Sequence, residues 1–372
     1  MTRRKVARNA PPGADTFEVS IFGPGKGEAL AVHLGGGDWI TVDSCVEQKT
    51  KIHPVLRYFE DIGVDAAQQV RLVVGTHAHD DHVAGISSLF EASSSAKFVS
   101  SPALTSEEFL ASVEADEDIE SQMRKTVREE YRSLVSQVLG RGLDASGRGS
   151  WLHAIEQRVL WERPSTATLA PARVVALSPS DVAIARSRSY LASGLAKAGD
   201  RRRLAAADPN DFSVALWVEF GRESALLGAD LETGPAGCGW QAVIASHRPS
   251  ASASLFKVPH HGSGEADLPA VWSQLLSASP ISVLAPFRNG SVQLPTDDDV
   301  SRLVANSSAV YAAASSRWPT PSRAVQRARS TLSGVAQNVR EPHGLVGQVR
   351  ARRSGGDADW SMELFSPALR LE

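Results

Sequence analysis

Apolar side chains occupy every second position of residues 17–22 (F-E-V-S-I-F), the period of a strand with one buried face. Residues 29–34 and 39–42 continue the strand pattern on either side of a G-G-G-D turn, which predicts a hairpin. Over residues 50–62 the period lengthens, with Ile52, Val55, Leu56 and Phe59 on one helical face. An apolar run at 70–74 predicts a buried strand. Val83, Ile86, Leu89 and Phe90 then predict a helix over 83–91, and 97–100 a short strand. This strand–helix–strand alternation argues an α/β layered fold.

The pattern shifts at residue 104. The next sixty or so residues are rich in Glu, Arg, Ser and Leu. Met123, Val127, Tyr131, Leu134 and Val138 predict a helix over 119–139, and a polar break at 140–150 precedes a second predicted helix at 151–161. We read a helical insertion at about 104–165. Three roles stay open for it: a lid, a surface for a protein partner or for self-association, or a hairpin that simply packs on the core. Strands are then predicted at 173–177, 214–220, 224–227, 255–258, 281–285 and 309–313. Helices fall at 181–198, 242–247, 267–276 and 297–304, and a closing strand pair at 344–351 and 360–365. Residues 1–15 are basic with a Pro-Pro stop and read as a disordered tail, which leaves 16–372 as one domain.

Composition removes some function classes. A net charge of −3 gives no global drive toward nucleic acid or anionic membrane. No apolar stretch reaches the roughly 18 residues of a membrane span. Two cysteines, Cys45 and Cys238, do not make a disulfide framework, and no apolar run follows the basic N-terminus. The expectation is a cytoplasmic protein without membrane contact. The G-P-G-K-G-E-A segment at 23–29 lacks the G-K-[ST] ending of a phosphate loop, so it reads as a tight turn between strands.

The chemistry concentrates in T-H-A-H-D-D-H, residues 76–82. Only ten histidines occur in the chain, and His77, His79 and His82 fall together beside Asp80 and Asp81. Imidazole and carboxylate are ligands that zinc, manganese and iron accept. The spacing also spells T-H-x-H-x-D-H, and here the chain resembles the metallo-β-lactamase superfamily. Two later motifs, N-D-F-S-V-A-L-W-V-E-F-G…A-L-L-G-A-D (210–230) and L-F-K-V-P-H-H-G-S (255–263), make it similar to the hydrolase domain of the ComEC-like competence proteins over roughly 17–100 and 173–313.

The resemblance implies an α+β four-layer fold, an αββα sandwich, and two divalent ions, zinc or manganese. It implies His77 and His79 as ligands of the first ion, Asp81 and His82 as ligands of the second, and Asp230 as the carboxylate between them. One histidine of the His260–His261 pair completes the second set. The order of the pair is open; His260, directly following its strand, is taken as the ligand and His261 as the group facing substrate. Asp43, at the end of the strand I-T-V, is expected to support the histidine loop. Asp81, His261 and Asp43 thus carry the catalytic roles, with Ser263 and Lys257 as lesser candidates for stabilising charge. The chain departs from the pattern in two places. No third histidine stands near 210–213, where Asn210 or Asp211 could assist, and Q-L-P at 293–295 replaces the usual late G-H-P turn.

The activity implied is a metal-dependent hydrolase, foremost a phosphodiesterase or nuclease in which a hydroxide shared by the ions attacks. Its substrate would be a nucleic acid or a small nucleotide. Alternatives are a lactone, thioester or β-lactam hydrolase, or a non-catalytic partner-binding module. A nucleic-acid substrate calls for stacking aromatics and a basic groove. Trp217, Trp240, Trp272 and Trp318, with Arg288, Arg317, Arg323 and Arg327, are the candidates, and Arg201, Arg202 and Arg203 form a further basic run.

Overall fold

The computed structural model describes residues 10–23, 27–47, 50–105, 109, 125–143, 149–196, 209–315, 346–357 and 359–372. In chain order the first part forms β1 (Thr16–Gly23), β2 (Ala29–Leu34), β3 (Trp39–Val42), α1 (Pro54–Ile62), α2 (Ala66–Gln69), β4 (Val70–Gly75), α3 (Asp80–Val83), α4 (Ile86–Ala92) and β5 (Lys97–Ser100). Then follow α5 (Lys125–Arg141), β6 (Trp151–His153), β7 (Val159–Arg163), β8 (Ala172–Ala176) and α6 (Asp181–Ala196). The second part forms β9 (Leu216–Phe220), β10 (Glu223–Leu227), α7 (Gly239–Ser246), β11 (Ala253–Lys257), α8 (Pro269–Gln274), β12 (Leu276–Leu284), β13 (Phe287–Asn289), β14 (Val292–Leu294) and α9 (Asp297–Asn306). The chain closes with β15 (Ala309–Ala312), β16 (Gly347–Ser354), β17 (Ser361–Phe365) and β18 (Leu369–Leu371).

Two eight-stranded mixed sheets result, in the spatial orders β17-β16-β1-β2-β3-β4-β5-β6 and β18-β15-β12-β11-β10-β9-β8-β7. They pack face to face. Phe17, Val19, Ile21, Leu30, Val32 and Leu34 of the first sheet meet Val174, Leu216, Val218, Phe220, Ala225 and Leu227 of the second in one apolar core. The alternation in 17–22 determines which side chains go inward. Phe17, Val19 and Ile21 point into the sandwich, while Glu18 and Ser20 belong to a buried polar network in which Tyr58 and Arg352 also bond Glu18. On the outer face of the first sheet, Val55, Phe59, Ile86, Leu89, Phe90 and Tyr131 carry α1, α4 and α5. On the outer face of the second, Trp240, Val243, Val271 and Leu303 carry α7, α8 and α9. The four-layer αββα order expected from the sequence is the order observed.

The predicted helix at 151–161 is not formed. Its two ends are β6, which joins β5 in parallel at the edge of the first sheet, and β7, which joins β8 at the edge of the second. An apolar run this short fits either period, and the open sheet edges decide it. The described helix of this region is α5, lying across α3 and α4. Glu130 accepts from the backbone N–H of Gly85 (2.8 Å) and Ser87 (2.9 Å), and Arg141 donates to the Ala96 carbonyl (2.9 Å). This helix therefore packs on the sandwich behind the histidine loop and contributes no side chain to the cleft. The helix predicted at 83–91 is two pieces, broken at Gly85, where φ is +84°.

Residues 10–15 lead into β1 and are held there, with Arg352 donating to the Ala10 carbonyl and Gly36 N–H to that of Ala14. The first nine residues of the tail, the Arg201–Arg203 run, Trp318, Arg317, Arg323 and Arg327 lie outside the described residues. Among the described residues no helix is long and apolar enough to cross a membrane.

Candidate metal centre

The parallel strands aim their C-terminal ends at one place. β3 delivers Asp43, β4 the histidine loop, β10 Asp230 and β11 the His260–His261 pair. Crevices beyond the carboxyl ends of parallel strands are where open α/β sheets gather function. The backbone is bent to fit. Asp43, Ala229, His260 and His261 all have positive φ (58°, 47°, 47° and 53°), a region that L side chains adopt only under constraint.

Asp43 is fully buried and organises the loop. Its Oδ1 accepts from Thr76 N–H (2.8 Å), and its Oδ2 from the Thr76 hydroxyl (2.8 Å) and His82 Nδ1 (2.7 Å). Because the Thr76 hydroxyl gives its proton to Asp43, it must accept from His77 Nδ1, 2.9 Å away. His261 Nδ1 donates to the Ala285 carbonyl (2.9 Å). In all three rings Nδ1 holds a proton, and Nε2 faces inward, where it can take a second proton or a metal ion.

Those Nε2 atoms converge on Asp230. Its Oδ2 lies 3.2 Å from His82 Nε2, 3.5 Å from His261 Nε2 and 4.0 Å from His77 Nε2. Asp81 Oδ2 lies 3.3 Å from His261 Nε2 and 3.8 Å from His82 Nε2. His77 Nε2 and His79 Nδ1 are 3.1 Å apart. Two nitrogens on one tetrahedral zinc sit about 3.3 Å apart, given Zn–N bonds of about 2.0–2.1 Å. His82 Nε2, His261 Nε2 and Asp230 Oδ1 are buried without a hydrogen-bond partner, a costly state unless a cation completes them.

The electrostatics agree. Burial should lower the His82 and His261 imidazoles, yet Asp230 and the carboxylates around them hold both above the ordinary range. His77, buried beside His82 and His79, is pushed well down. Burial works against ionising Asp81 and Asp230, but the neighbouring imidazoles keep both carboxyls below the usual range. A shell that draws positive charge this strongly suits divalent ions, so the donor set fits.

The structure brings together His77, His79, Asp81, His82 and Asp230, with Asp43 behind them. It reverses the expected order of the last pair. His261, 2 % exposed, is the histidine turned toward Asp81 and Asp230. His260 lies aside, with its Nδ1 3.2 Å from Glu232 Oε1, and lines the cleft. The left-handed turn at both residues swaps the directions that a continuing strand would give them. Ser263 caps a short turn by accepting from Glu265 N–H. Asn210 donates to Glu232 (3.1 Å), and Ser213 Oγ lies 3.4 Å from His77 Nδ1.

Behind the centre stand Glu28, which escaped the sequence reading, and Lys257, which was expected on the substrate side. Glu28, from the G-P-G-K-G-E-A turn, is fully buried and ion-paired to Lys257, itself 1 % exposed. Lys257 also donates to the Ala229 carbonyl (2.7 Å) and stands 3.7 Å from Asp230 Oδ1. The Glu28 backbone N–H bonds the Asp81 carbonyl (3.0 Å). Lys257 therefore braces the ligands from behind and does not reach a substrate. No local signal distinguishes Glu28 from an ordinary turn acid.

The cleft over the centre has a volume of about 160 Å³ and is lined by His79, Asp80, Asp81, Asp230, His260, His261, Phe287, Val292 and Leu294. Trp217 and Trp240 belong to the core, so they are not stacking platforms.

No family model matches the chain, and no curated protein matches it. Among solved structures, it is similar to the metallo-β-lactamase fold protein YhfI from Bacillus subtilis, at 12 % identity and TM-score 0.38, over 80 % of this chain and 95 % of that one. It is also similar to a mutant of the β-hydroxylase CmlA, at 13 % identity and TM-score 0.35, over 72 % of this chain and 45 % of that one. Likenesses this distant say nothing about chemistry, which rests on the site.

Proposed function

We propose that this protein is a metal-dependent hydrolase of small phosphodiesters. One observation carries the reading: three imidazoles, each with Nδ1 committed to a partner, aim Nε2 at the buried Asp230 carboxylate. His77 and His79 with Asp230 would hold one divalent ion; Asp81, His82 and His261 with Asp230 would hold a second. Zinc or manganese there would supply Lewis acidity, and zinc would bring the pKa of a water toward 7. The chain does the rest. Asp43 locks His82 and, through Thr76, His77 in the tautomers that present Nε2. The Ala285 carbonyl does the same for His261. His260, braced by Glu232, is the imidazole left on the substrate side, the place first given to His261.

The described lining of the cleft contains no Lys or Arg, and Glu232 and Glu265 lie beside His260. A polynucleotide backbone would be repelled there, which favours a small substrate over a nuclease role. The same acidic, partly apolar lining favours a second reading, a hydrolase of lactones or thioesters.

The test combines metal analysis with turnover of bis-p-nitrophenyl phosphate and of a p-nitrophenyl ester. Wild type should bind close to two ions per chain and cleave the phosphodiester. His261→Ala should lose an ion and turnover together, whereas His260→Ala should keep the metal and lose rate. Ester cleavage alone would move the assignment to the second reading. Metal retained in full by His261→Ala would overturn the ligand set.

A further inference from the structure

The cleft has two unlike walls. One is the ligand set; the other is a hairpin belonging to neither large sheet. Among the described residues β13 and β14 pair only with each other, with Phe287 opposite Leu294, Arg288 opposite Gln293 and Asn289 opposite Val292. Side chains alternate along a strand, so Phe287, Asn289, Val292 and Leu294 share one face and Arg288 the other. The three apolar residues of that face line the cleft. Arg288, a candidate for a basic groove, belongs to the face turned the other way.

The hairpin is tied to the centre by one contact in particular. The Phe287 ring stacks on the His261 imidazole, with centroids 5.1 Å apart and planes 20° from parallel. Beside it Val292 is 52 % exposed, a large apolar side chain left in the open at the mouth of a reactive cleft.

We propose that this hairpin is a binding subsite for a planar, ring-sized group carried next to the scissile bond. The substrate is then an aryl or heteroaryl ester of a phosphorus or carboxylic acid. Its phosphoryl or acyl group meets the Asp81–His82–His261–Asp230 wall and its ring lies against Phe287, Val292 and Leu294. The proposal rests on the hydrolase reading for the identity of the polar end, and on the hairpin alone for the ring.

The test measures binding of phenylphosphonate and methylphosphonate to the zinc-supplemented protein by calorimetry, alongside turnover. Phenylphosphonate should bind about tenfold tighter or better, the discrimination that one filled apolar pocket provides. In a Val292→Ser/Leu294→Ser variant the phenyl advantage should fall to about twofold or less, with metal content serving as the check that the centre is intact. Equal affinity for the two phosphonates in wild type, no binding of either, or a phenyl advantage that survives in the variant would overturn the subsite. Phenyl preference without turnover of any ester would leave the subsite standing and defeat the hydrolase reading. Turnover without phenyl preference would do the reverse.

Discussion

Replacing Lys257 by Met removes one ammonium from behind the centre and keeps the unbranched stem. Wild type places this group in contact with Glu28, within 2.7 Å of the Ala229 carbonyl and 3.7 Å from Asp230 Oδ1, with both carboxylates buried. Removing one partner of a buried pair strands the other charge, at a cost of about 3–5 kcal/mol. Burial already raises the Glu28 carboxyl against the pull of Lys257, so in the variant Glu28 takes a proton on folding that the unfolded chain releases. The folded state then binds more protons than the unfolded one above about pH 4.5, and stability falls as pH rises. Each pH unit is worth about 1.4 kcal/mol, so moving from pH 7 to pH 5.5 should narrow the variant's deficit against wild type by up to about 2 kcal/mol. Urea unfolding in EDTA, followed by tryptophan fluorescence at both pH values, measures this. Adding Glu28→Gln to Lys257→Met should recover at least half of the loss at pH 7. A single variant within about 1 kcal/mol of wild type, or a double variant no better than the single, would refute the argument that this pair balances charge beneath the ligands.

Two other perturbations follow from the same hydrogen-bond logic. Asp43→Asn offers an amide N–H where the carboxylate takes bonds from Thr76 and His82; the relief is to move the His82 proton to Nε2, so zinc affinity by chelator competition should fall about 10–100-fold, and an unchanged affinity would detach Asp43 from the loop. His33 and His53 are buried and lowered to about 4, chiefly by desolvation. His33 Nε2 must stay bare to accept Gly37 N–H (3.1 Å). The unfolded chain protonates these imidazoles near pH 6.5 and the folded chain does not, so their contribution to stability should be level above that and fall toward pH 4, by on the order of 3 kcal/mol for each. His33→Gln should flatten the pH dependence of the urea midpoint, and an unaltered slope would count against a neutral His33.

The sequence by itself determined what is local. Alternation at 17–22 decides which residues of β1 enter the core, and four of the ligand candidates were legible because His77, His79, Asp81 and His82 lie on one loop, whereas Asp230 was implied only by the resemblance. Everything that depends on direction or on distant partners waited for the tertiary structure. The order of His260 and His261 turns on two left-handed backbone positions that no side-chain pattern announces. Residues 151–161 became strands because two sheet edges stood open to receive them. Glu28 reads as a turn acid until folding brings Lys257 against it, since a charge is worth little in water and a great deal in a buried pair. The apolar wall of the cleft has the same origin. Phe287 and Leu294 are unremarkable in the sequence, and only the register of a short hairpin sets both rings of contact, with His261 and with the cleft, on one face.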